Sequence, residues 1–153
     1  MWVTYPLYKT NSGASVDLNH LIDNSKYFKR QHNKFEKFDS SVYCILTPNK
    51  QVAYYGKGKF NINNVLCSRG CTHKNDLVSK YVKKNWTILF IAIGITDNEA
   101  RALEALLIKG KKLSKINAKT WDGVSLMNKR YEHKGEELIS KYLIYGNNTR
   151  FTT

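Results

Sequence analysis

The sequence predicts a small mixed α/β domain, a β-hairpin and a third strand accompanied by helices. Three observations predict it. A short apolar run closes in turn residues and resumes as a second extended run, a third apolar segment is rich in β-branched and aromatic residues, and a capped amphipathic helix follows directly. The 153 residues are 42% hydrophobic and 12% aromatic, enough to bury a core and too much for a disordered basic tail. No Pro- or Ser-rich linker and no internal repeat marks a second independent domain.

Residues 1–40 read as an N-terminal arm, with a helix over 17–29 that puts Leu18, Leu21, Ile22 and Phe28 on one side. Val42-Tyr43-Cys44-Ile45-Leu46 is a buried-strand run, Thr47-Pro48-Asn49-Lys50 is turn chemistry, and Val52-Ala53-Tyr54-Tyr55 resumes extended character. Gly56-Lys57-Gly58-Lys59 then reads as a bend in which small residues let two ammonium groups converge. Residues 61–71 are ambiguous, whereas 73–84 place Leu77, Tyr81 and Val82 on one helical side. Residues 86–93, apolar on both faces, predict a third, central strand. Thr96 with Glu99 three residues on is a capping box, and the helix it opens should run to about Lys109, before Gly110. Residues 41–118 form the expected core, and 119–153 a helical extension packed on it. That extension has a helical stretch carrying Leu126, Met127 and Tyr131, a break at Gly135, and a last helix over 136–145 with Leu138, Ile139, Tyr142 and Leu143 on its apolar side.

The charge balance points to a partner class. Lys and Arg number 25 against 12 Asp and Glu, a formal charge of +13 that favours a polyanion. The lysines run through the whole chain instead of lining one amphipathic helix, and Tyr27, Phe28, Tyr54, Tyr55, Tyr81 and Tyr131 sit among them. That mixture suits phosphate contacts beside base packing, and favours nucleic acid over an anionic membrane surface. The longest apolar stretch, 86–95, contains Thr87 and Gly94 and is too short to cross a bilayer, so no membrane association is expected. The N-terminus lacks the pattern of a secretory signal, which predicts a reducing, cytoplasmic setting and free thiols. Cys67, Cys71 and His73 lie close together, but a fourth zinc ligand would have to come from Cys44 or His133 with no paired motif, and a structural zinc is not expected.

One residue contradicts its own helix. At about 100° per residue, Leu106, Leu103, Leu107, Ala100 and Ile108 form a continuous apolar arc, and Glu104 falls inside it. An ionised carboxylate facing the protein body is costly unless a cation, a metal or hydrogen bonds hold it. The alternative is an edge position, with Glu104 snorkelling to solvent or pairing with Lys111 or Lys112. If the helix packs on the sheet, Glu104 is expected to approach Tyr43, Tyr54 and the 56–59 bend. A carboxylate for a hard divalent cation, phenols for proton transfer or water positioning, and fixed cations for phosphate are the parts that phosphodiester hydrolysis needs.

These residues resemble a known signature. Ser41-Val42-Tyr43, followed by Tyr54-Tyr55-Gly56-Lys57-Gly58-Lys59, is similar to the paired motif of the GIY-YIG nuclease family, in the form of one of its branches. Glu99-Ala100, Glu104-Ala105-Leu106-Leu107-Ile108 and then Ile116-Asn117 resemble the family's glutamate helix and the Ile/Leu-Asn that trails it. The likeness spans roughly residues 41–118. It implies a three-stranded antiparallel sheet flanked by helices, one divalent ion, Mg²⁺ or Mn²⁺, on Glu104, and hydrolysis leaving a 5′-phosphate and a 3′-hydroxyl. It also implies that Tyr43 activates water, Tyr54 orients water or phosphate, Asn117 supports the site, and Lys57 or Lys59 binds a phosphate. Ser41 stands where the family usually has glycine. The family's arginine follows the second motif more closely than Arg69 does, and the nearer positions hold Asn61, Ile62, Asn63 and Asn64. Arg69 is the arginine that the likeness points to, with His73 completing an Arg-x-x-x-His spacing that several family members share.

The expected function is therefore a metal-dependent endonuclease acting on DNA, with RNA left open. The rival expectations are a non-catalytic basic protein that binds nucleic acid on the same fold, and an interaction protein whose positive surface meets an acidic protein.

Overall fold

The computed structural model describes residues 36–59, 75–83, 85–131 and 133–143. The helix expected over 17–29, the segment 61–71 and the tail 146–153 lie outside the described residues. The elements are β1 (Ser40–Leu46), β2 (Val52–Lys59), α1 (Asp76–Tyr81), β3 (Thr87–Ile95), α2 (Asp97–Ile108) and α3 (His133–Tyr142). Both strand pairs are antiparallel, and the sheet order is β2-β1-β3. The fold is α/β, a three-stranded antiparallel sheet flanked by helices. Among the described residues, no helix is long and apolar enough to cross a membrane.

The hairpin forms where the turn residues predict it. Thr47 N–H donates to the Gln51 carbonyl at 2.9 Å, Lys50 N–H donates to the Thr47 carbonyl at 2.8 Å, and Lys50 takes the left-handed φ of 67° that closes the loop. β2 does not bend at its glycines. It stays paired with β1 from Val52 to Lys59, with Ser41 opposite Gly58 and Ser40 opposite Lys59, so the Gly-Lys-Gly-Lys run is strand and not turn. Ser41 is ordinary strand as well, and its hydroxyl donates across the pair to the Gly58 carbonyl at 3.0 Å.

β3 is an edge strand, not the central one. Its apolar run reflects burial on both faces. Ile88 and Phe90 join the core on one side of the sheet, and Ile91, Ala92 and Ile95 join it on the other. The centre belongs to β1, buried from Ser40 through Ile45. The register of β1 on β3 shifts between Ser40 and Ser41, opposite Gly94, whose φ of +67° makes the bulge.

Strand alternation sorts the core into two layers. Val42, Cys44 and Tyr55 face α2 and α3, whereas Tyr43, Ile45 and Phe90 face α1 and Met127. The capping box is present as read: Thr96 Oγ1 accepts from Glu99 N–H at 3.1 Å, and Thr96 N–H donates to Glu99 Oε1 at 2.9 Å. α2 ends at Ile108, and Gly110 follows with φ +75°. α2 is buried on nearly every side because α3 covers the flank that the sheet leaves open, through Ile139, Tyr142 and Leu143.

Two readings of the C-terminal part differ from the structure. Residues 126–131 are not helical. Asp122 Oδ1 accepts from the N–H groups of Val124 and Ser125, both at 2.8 Å, and fixes a turn, after which the chain runs along the outer edge of β2. Met127 N–H donates to the Ala53 carbonyl, and the Asn128 amide accepts from Tyr55 N–H at 3.0 Å and donates to the Tyr55 carbonyl at 2.8 Å. Gly135 does not break the last helix, which starts at His133 and holds Gly135 buried in its first turn.

Candidate functional site

The hairpin register sets the tyrosine pair. Tyr43 lies opposite Gly56, and Ile45 opposite Tyr54, so both rings project from one face of the sheet. Their centroids are 6.4 Å apart, and Phe90 lies edge-on to Tyr43 at 6.2 Å. Tyr43 is 3% exposed and Tyr54 half-buried. The Tyr43 ring lies across Gly56. An added Cβ at residue 56 would stand 2.9 Å from Tyr43 Cε1, and closer still to its Cζ and hydroxyl oxygen, so no larger residue fits without moving the ring. The tyrosine of the first motif and the glycine of the second are thus one packed unit.

The same alternation turns Lys57 and Lys59 to the opposite face, toward α2. Lys57 Nζ lies 3.1 Å from Asp97 Oδ1, and Arg101 Nε lies 2.9 Å from Asp97 Oδ2. Burial works against charge on Asp97, but the hydrogen bonds from Arg101 and Lys57 outweigh it and hold the carboxyl below its ordinary 3.8. Asp97, Arg101 and Glu104 are spaced i, i+4 and i+7, so they share one face of α2. Glu104 is half-buried there, between Ala100, Leu103, Leu107 and Ile108, which are all buried. Asp97 and Arg101 were not singled out from the sequence, although their i, i+4 spacing ahead of Glu104 was visible. The phosphate role expected of Lys57 competes with its ion pair to Asp97. Lys59 is exposed at the end of β2.

The expected meeting of Glu104 with the tyrosines is therefore not across a shared face. Tyr43 and Tyr54 lie on the face away from α2, and the sheet stands between the two layers. β2 is an edge strand. Asn128 covers that edge at Tyr55, and Met127 at Ala53, which among the described residues leaves 57–59 beyond the covered stretch. Asn117 is exposed, next to Ala118, which packs against the tyrosine-bearing layer. Arg69 and His73 lie outside the described residues, as do Cys67 and Cys71.

The donor set limits the kind of metal. Among the described residues, no group of three or more His, Cys, Asp or Glu side chains is gathered for an ion held wholly by protein. One half-buried carboxylate fits a hard cation that keeps most of its waters and takes its other ligands from substrate phosphates. Burial pushes the Cys44 thiol up to about 12 and keeps it protonated. Comparisons with protein-family models, with curated proteins and with solved structures found no match.

Proposed function

We propose that the chain is a metal-dependent DNA endonuclease with Tyr43, Tyr54 and Glu104 at its centre. The observation that carries this reading is the seating of Tyr43 on Gly56, which makes two short sequence motifs a single built feature and fixes a phenol on the sheet beside a second one. The +13 charge supplies the attraction for the polyanion. In this scheme the Tyr43 oxygen takes a proton from water and releases its own to solvent as the water oxygen attacks phosphorus. The P–O3′ bond breaks, the departing oxygen takes a proton from a solvent water to become a 3′-hydroxyl, and the phosphate stays on the 5′ side. Tyr54 orients the water or the phosphate, while Lys59 and Arg69 hold phosphate oxygens and Asn117 supports them. Glu104 would hold one Mg²⁺ or Mn²⁺, which when bound neutralises charge gathering on the phosphate. Lys57 sets β2 against α2 through Asp97.

A basic protein that binds nucleic acid without cutting it is the second reading. The Lys57–Asp97 ion pair and the sheet between the tyrosines and α2 favour it. A plasmid assay separates the two. The expected result is Mg²⁺-dependent nicking of supercoiled DNA that Glu104→Gln abolishes while gel-shift binding persists. Binding without nicking by the unaltered protein supports the second reading, and a Glu104→Gln protein that cuts at the normal rate refutes the role of Glu104.

A further inference from the structure

On the tyrosine-bearing side of the sheet, away from the residues used above, three half-buried aromatic side chains adjoin one another. Trp121 lies 5.8 Å from Trp86 and 6.1 Å from Tyr81, centroid to centroid, with interplanar angles of 57° and 64°. Trp121 meets Tyr81 edge to face and lies tilted against Trp86, so the three rings do not stack on one another, and each stays partly exposed. The Trp121 indole N–H is committed to the Ser125 carbonyl at 2.7 Å. The ring is thus held in place and offers a surface, not a donor.

The rim of this cluster is cationic. Lys80 Nζ sits 5.5 Å from the Tyr81 centroid and donates to the Lys119 carbonyl at 3.1 Å, and Lys83 Nζ donates to the Lys80 carbonyl at 3.2 Å. Backbone carbonyls satisfy hydrogen bonds but do not neutralise charge. Among the described residues, the ion pairs engage Lys57, Arg101, Lys109 and Lys129, and none joins Lys80, Lys83 or Lys119 to a carboxylate. Half-buried rings at the centre and uncompensated ammonium groups at the rim complement a nucleotide whose base is unstacked and whose phosphates flank it. Duplex DNA hides its base faces and can use only the rim.

We infer that Tyr81, Trp86 and Trp121, with Lys80 and Lys83 beside them, form a stacking platform for an unpaired stretch of DNA. The inference rests on the nucleic-acid part of the function proposed above and narrows its substrate class to DNA with single-stranded or splayed bases. Because the platform packs on the same core layer as Tyr43 and Tyr54, a strand seated there is held on the tyrosine side of the sheet.

The test is fluorescence anisotropy at one fixed salt concentration, with labelled oligo-dT of about 16 nucleotides, a duplex of the same length and oligo-rU as probes. The expected result is tighter binding of oligo-dT than of duplex or oligo-rU, and quenching of tryptophan emission by oligo-dT in a Trp2→Phe background. Trp121→Ala weakens oligo-dT binding by about tenfold or more and leaves duplex binding unchanged. Trp121→Phe restores most of the loss and serves as the readout should the alanine variant not fold. Equal affinity for oligo-dT and duplex, with neither quenching nor a Trp121 effect, overturns the platform and leaves nucleic-acid binding standing. Binding to none of the probes overturns both. Preference for oligo-rU overturns the assignment to DNA, and displacement of oligo-dT by polyglutamate at equal charge reduces the patch to simple electrostatics and overturns stacking.

Discussion

Gly56 lacks a side chain because the Tyr43 ring occupies the place where one would stand. Gly56→Ala therefore forces overpacking at a site where Tyr43 is itself enclosed, and is expected to cost about 1–3 kcal/mol in urea unfolding. Removing the ring removes the clash. A Tyr43→Ala, Gly56→Ala cycle should show favourable coupling, with the second substitution nearly neutral once the first is made. Simple additivity would mean that the ring and the glycine are independent. Local spacing revealed both residues, but not this relation, which depends on the cross-strand register.

At the scale of elements, the outer edge of β2 is protected by a side chain as well as by backbone. The Asn128 amide takes both the N–H and the C=O of Tyr55, standing in for one rung of a fourth strand. Asn128→Ala leaves two buried backbone groups unpaired, and is expected to cost about 2–4 kcal/mol by denaturant titration. A loss near zero would show that the edge tolerates exposure. The junction of β2 and α2 carries a pH signature. Because Asp97 titrates below 3.8 in the folded chain, its ion pairs with Lys57 and Arg101 contribute stability above that value, and the contribution is lost as pH falls through the lower folded value. Stability measured from pH 7 to about pH 3 should thus fall more steeply for the unaltered protein than for Asp97→Asn. Parallel curves would contradict the assignment.

For the whole molecule, the elements legible in the sequence are those whose signals are local. The hairpin follows from Thr47 to Lys50, the start of α2 from Thr96 and Glu99, and the third strand from its apolar run. What was misread depends on distant partners. Leu126 and Met127 have helical spacing with Tyr131, but hydrogen bonds to β2 draw that segment out of any helix. The run in β3 signals burial on both faces and cannot say whether the strand is central or lateral. In Gly56-Lys57-Gly58-Lys59 the glycines suggested a bend. The period-2 alternation of a strand instead separates Lys57 and Lys59 from Tyr43 and Tyr54. Asn128 and Asp97 had no visible role because each acts on β2, which only folding brings near, whereas the pair of Arg101 with Asp97 is local to α2.

The most direct measurement is the cleavage rate of Tyr43→Phe on supercoiled plasmid with Mg²⁺. The substitution keeps the ring on Gly56 and removes only the hydroxyl, so DNA binding should hold while nicking falls by about 10²–10⁴-fold. A Tyr43→Phe protein that nicks as fast as the unaltered chain would contradict the claim that this phenol moves the proton.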